Sequence, residues 1–135
     1  MKTYTKQELE KIASAFNNVL LSFLITYIFG VVYLYMAAKM IINPTNILII
    51  FILLFCSELY FIVSVCLYST ARKNMIITTI FYVLCVFLPI ISLILLSRIS
   101  RSVSTLFRKA DISMGILGIN VAQVAALPED FTVSN

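Results

Sequence analysis

From Ile12 to Ala38 the chain carries no charged side chain, and two further apolar runs, 47–71 and 75–97, hold a single acid between them. A helix of about 20 apolar residues is long enough to cross a hydrocarbon layer of roughly 30 Å. Of 135 residues, 61% are hydrophobic and 12% charged, whereas soluble domains are about 45–50% apolar and about 25% charged. A water-soluble fold of this length could not hide so much apolar surface. The sequence therefore predicts an all-α integral membrane protein: three transmembrane helices, a basic amphipathic C-terminal helix and a short docking tail.

The boundaries follow from local signals. Thr5-Lys6-Gln7-Glu8 has the spacing of a capping box, and Leu9, Ile12 and Phe16 continue at helical intervals. An amphipathic lead-in over 1–15 then feeds a first span at about 16–38. Asn43-Pro44 breaks the chain, because proline disfavours helix at the residue before it and lacks a backbone donor. The second span, 47–71, ends at Arg72-Lys73-Asn74, which reads as a hairpin link. The third, 75–97, contains Pro89 and is expected to kink there. Together 16–97 form the helix bundle, and 98–135 the basic helix and tail. The first apolar run is too long for the h-region of a signal peptide, so cleavage is not expected.

Beyond residue 97, Ile99, Val103, Leu106, Phe107 and Ala110 fall on one side of a helical wheel, with Arg98, Arg101, Arg108 and Lys109 on the other. That basic face suits a membrane surface or an acidic partner. It is too sparse for a nucleic-acid module. The last apolar stretch, 112–127, would span only about 24 Å as a helix. Leu117, Val121 and Val124 are expected to dock it on the bundle or on a partner.

The composition also excludes chemistry. There is no histidine, so histidine-ligated haem, the usual zinc sites and Ser/His or Cys/His catalysis are absent. No cofactor is expected. Cys56, Cys66 and Cys85 lie inside apolar runs and read as small packing residues. The acids other than Glu58 sit in the terminal segments, which leaves no second carboxylate within the spans for acid–base work.

Glu58 is the one ionisable side chain inside a span. An acid at mid-helix opposes insertion by about 2.5–3.5 kcal/mol, while about fifteen Leu, Ile, Phe and Val neighbours return about 0.3–0.6 kcal/mol each. Insertion wins, and the carboxyl needs hydroxyls, water or another subunit beside it. Polar or small residues recur at steps of three and four along each span. They are Asn18, Ser22, Thr26 and Gly30 in the first; Ser57, Tyr60, Ser64 and Tyr68 in the second; and Thr78, Tyr82, Cys85, Pro89 and Ser92 in the third. Such stripes mark contact surfaces between helices.

Three spans would put the N-terminus and Arg72-Lys73 on one side and Lys39 with the tail on the other. Lys2, Lys6, Lys11, Arg72 and Lys73 then face Lys39, Arg98, Arg101, Arg108 and Lys109. The positive-inside rule gives no orientation from such a tie. Partners or the insertion machinery could settle it, or copies could insert both ways and pair antiparallel.

Size, an intramembrane glutamate and balanced charges resemble the small proton-coupled multidrug exporters. Those proteins carry four spans with the glutamate in the first, whereas Glu58 lies in the second of three, so no residue's role transfers. The sequence favours a non-enzymatic subunit of a larger membrane assembly, partnered by lipid and by other subunits or copies of itself. A small oligomeric ion- or proton-coupled transporter or channel using Glu58 is the alternative. A bacterial inner membrane or an organellar or plasma membrane would suit either.

Overall fold

The computed structural model describes residues 3–38, 43–74, 76–86, 89–115 and 118–134. Four helices dominate: α1 (Lys6–Ala38, 33 residues), α2 (Pro44–Ala71, 28), α3 (Ile76–Val86, 11) and α4 (Pro89–Arg108, 20). A fifth, α5 (Val121–Ala125), is one turn long. Three helices are long and apolar enough to cross a membrane, Lys6–Ala38, Leu48–Ala71 and Ile90–Arg108, which suggests a membrane location. Short strands accompany them, in place of the all-helical chain expected. β1 (Thr3–Thr5) pairs antiparallel with β4 (Thr132–Ser134), and β2 (Met114–Gly115) with β3 (Gly118–Ile119).

Helix ends form where backbone groups find partners. At α1 the Glu8 carboxylate accepts the Thr5 N–H at 3.0 Å, one arm of the predicted capping box. Pro44 stands at the start of α2 behind an extended Asn43, where a missing N–H costs nothing. α2 and α4 end alike. The N–H groups of Lys73 and Asn74 reach back to the carbonyls of Thr70 and Ser69, and those of Asp111 and Ile112 to Arg108 and Phe107. These are Schellman closures with Lys73 and Asp111 in the left-handed region, at φ 53° and 56°, where glycine is the usual occupant.

The third apolar run does not form one kinked rod over 75–97. α3 is about 16 Å long, and α4 begins afresh at Pro89 and runs through the basic segment to Arg108. Side-chain bonds show that the chain reverses between them. Thr79 meets Ser69 across 2.6 Å, and Ser102 accepts from the Arg72 guanidinium at 3.0 Å. Ser69 and Arg72 are one helical turn apart, whereas a continuous helix would hold Thr79 and Ser102 about 34 Å apart. α3 therefore climbs beside α2, and α4 descends toward the Arg72 end.

Both ends of the chain consequently lie at that same end, which corrects the expectation of termini on opposite sides. β1 and β4 are paired, Lys6 bridges Glu129 at 2.9 Å, Lys109 donates to the Ser134 carbonyl at 3.0 Å, and Lys73 bridges Glu8 at 2.6 Å. The core gathers here. Tyr4, Leu9, Ile12, Phe16 and Val19 are fully buried with Val65, Val103, Leu106 and Phe107, in one cluster that also takes in Ile119, Val124 and Val133. The apolar face of the basic helix thus packs inward, and the tail docks on the bundle through Val124. Val121 is exposed, and Leu117 lies outside the described residues.

Away from this end the helices are bare. Leu24, Ile28 and Leu34 of α1, Leu48, Phe51 and Phe55 of α2, and Ile80 and Leu84 of α3 are all at least half exposed.

Candidate functional site

Glu58 lies on α2 fourteen residues before Arg72, about 21 Å along the axis. Its side chain is half-buried and lines a crevice of about 420 Å³ between α1, α2 and the start of α4. Phe23 and Phe61 form part of the lining, with centroids 5.6 Å apart in an edge-to-face contact, and Tyr27 stacks on Phe23 at 6.0 Å. Leu34 and Leu54 add aliphatic wall, and Thr26, Gly30 and Ser92 also line the space. The Thr26 hydroxyl is committed to the Ser22 carbonyl at 2.9 Å. Among the described residues no cation forms an ion pair with Glu58.

The polar stripes are placed differently from one another. Ser22, Ser57, Ser64, Tyr68 and Ser92 are buried, whereas Tyr60 is 38% exposed. Thr78 and Tyr82 are half-buried, and the Pro89 side chain lies outside what is described. The hydroxyls of Ser57 and Ser64 turn back to the carbonyls of Leu54 and Tyr60 in their own helix, at 2.8 Å each. They bond within α2 and do not link it to a neighbour. Gly30 is not a point of close helix approach either: a Cβ built there would meet nothing within 4 Å.

The Tyr68 side chain bonds across to Ser102 of α4, and further bonds between elements come from residues beside the stripes. Thr79, next to Thr78, meets Ser69. Asn17, next to Asn18, grips the tail. Its amide donates to the Ile119 carbonyl at 2.8 Å, and its carbonyl accepts the Ile119 N–H at 2.9 Å. The side chain thereby acts as a strand partner for one residue. Gly118 beside it adopts φ +110°, and a Cβ there would collide with the Asn17 carboxamide. Arg72 is buried, its guanidinium 5.4 Å from the Tyr4 ring centroid, while its carbonyl accepts the Tyr4 hydroxyl at 3.1 Å.

Charge is segregated as sharply as polarity. Arg98, Arg101, Arg108 and Lys109 are exposed on the outer side of α4, and Leu93, Ile94 and Ser97 continue that face into a surface groove with Arg98 and Arg101. Lys6, Arg72 and Lys73 stand at the same end through the contacts above, and Lys11 follows Lys6 by five residues on α1, about 8 Å along the axis. All eight described cations are thus on one side of the molecule; Lys2 and Lys39 lie outside the described residues. The Lys73 ammonium, bonded to the Glu8 carboxylate, holds that carboxyl below its ordinary value, with the Thr5 N–H adding to the effect.

Of the three free cysteines, Cys85 is buried, Cys66 half-buried and Cys56 exposed. No group of three metal-ligating side chains occurs among the described residues. Comparison with protein-family models, with curated proteins and with solved structures finds no significant match.

Proposed function

We propose that this chain is a small non-enzymatic integral membrane subunit that packs into a larger membrane assembly, with its charged end in the cytoplasm. The orientation rests on the eight cations gathered at one end, since lysine and arginine flanking membrane helices stay on the cytoplasmic side. α1 and α2 cross completely. α3 and α4 form a re-entrant pair, α3 rising beside α2 and α4 returning toward the Arg72 end.

One observation carries the assembly reading: Glu58 lines an open, chiefly apolar crevice between α1, α2 and the start of α4. Lipid tails cover apolar surface well. They leave a carboxyl at a cost of about 2.5–3.5 kcal/mol, which a neighbouring polar group offsets. Purification in mild detergent followed by mass measurement tests the reading. Stoichiometric unlike subunits are the expected result, and a homogeneous homo-oligomer would contradict it.

The volume of the crevice favours a second reading, an oligomeric transporter or channel in which Glu58 binds a cation or relays protons. Glu58→Gln separates the two. Lost assembly supports the subunit role, whereas normal assembly with lost flux supports transport.

A further inference from the structure

We infer that the crevice is the seat of a partner transmembrane helix that presents a lysine or arginine to Glu58 at mid-depth. The inference rests on the assembly reading and names the chemistry of the partner. Glu58 is fourteen residues from Arg72 and fourteen from Pro44, so about 21 Å of helix separates it from either end of α2. A lipid headgroup ammonium stays at the interface and does not reach that depth. A cation there has to arrive on a helix.

The shape agrees with such an occupant. About 420 Å³ is over ten times the share of one water in the liquid, about 30 Å³, so the space is too large for one or two bridging waters. Its walls are chiefly aromatic and aliphatic, and Glu58 is its single charge. The open space over Gly30 leaves room for another helix backbone. An acid at mid-depth facing apolar walls selects for an opposite charge. A second copy of this chain seated by the same face would bring a second acid to the seat and no cation.

The full chain in phosphatidylcholine vesicles can be tested against a synthetic transmembrane peptide. A Leu/Ala host of about 20 residues carries one central lysine, leucine or glutamate, and association is read by energy transfer. The lysine peptide is expected to bind at least about tenfold more tightly than the leucine peptide. That preference should vanish in Glu58→Gln, and the glutamate peptide should gain it against Glu58→Lys. Matching helix content by circular dichroism shows that the variants fold. Equal binding of the lysine and leucine peptides overturns the inference, as does a preference that survives in Glu58→Gln. Self-association of the wild type that is lost in Glu58→Gln overturns it in favour of a second copy. Unlike subunits without a lysine preference would sink this inference alone, whereas their absence from the purified protein would sink the assembly reading.

Discussion

Phe107→Ala is expected to destabilise the charged end of the molecule by about 3–5 kcal/mol, the usual cost of emptying a well-packed phenylalanine site. Phe107 is fully buried in the cluster that joins α1, α2, α4 and the tail. Removing its ring leaves a void that backbones fixed by the Schellman closure at residues 107–112 cannot easily fill. Phe55 is the matched control. At 55% exposed it lies outside that core, and Phe55→Ala should fall within about 0.5 kcal/mol of the wild type. Thermal unfolding in detergent, followed by protease sensitivity of residues 110–134, reads both. If the two variants unfold alike, the core is not where the structure places it.

Asn17→Leu is expected to release the tail while the helices stay folded. The substitution removes both partners of the Ile119 backbone, whose N–H and carbonyl are then left unmet in a partly buried place. The expected cost is about 1–3 kcal/mol, a rise of roughly 5- to 150-fold in local opening. Hydrogen exchange at the Ile119 amide measures this opening directly. Asn18→Leu should leave exchange at Ile119 unchanged. A similar response from the two positions would show that the tail is held by apolar contacts alone.

Those two asparagines also mark how far the sequence could be read. Run length and charge placement were enough to locate α1 and α2, because crossing a bilayer needs a minimum number of apolar residues whatever their order. Pro44, the Glu8 cap and the inward face of Ile99, Val103, Leu106 and Phe107 were legible for similarly local reasons. Stripe residues Ser22, Ser57, Ser64, Tyr68 and Ser92 are buried, but which single side chain bonds to a neighbour was not legible. A helix that is greasy all round has little polarity to fix its rotation, and two of the bonds fall on Asn17 and Thr79, each next to a stripe residue.

The reversal at Pro89 was hidden for a different reason. A proline inside a kinked span and a proline opening a new helix look alike in sequence. Only long-range bonds such as Thr79 to Ser69 and Arg72 to Ser102 tell them apart. That one ambiguity also underlies the five-to-five charge tie, since it separated the tail from the N-terminal strand with which it pairs. The strands of two and three residues are too short to show alternation. Lys73 and Asp111 closed their helices without the glycine that would have announced it. Glu58, by contrast, was visible at once as the lone acid in a span, and the structure adds the crevice around it.

Two-sided cysteine labelling in sealed inverted and right-side-out vesicles bears most directly on the arrangement of chain and charge. With Cys56, Cys66 and Cys85 replaced by alanine, single cysteines are introduced at Lys11, Arg108 and Thr45, all exposed. Positions 11 and 108 should react only from the cytoplasmic face and position 45 only from the opposite one. Labelling of 11 and 108 from opposite faces, or of any position from both, would contradict a chain whose two ends and eight cations share one side of the membrane.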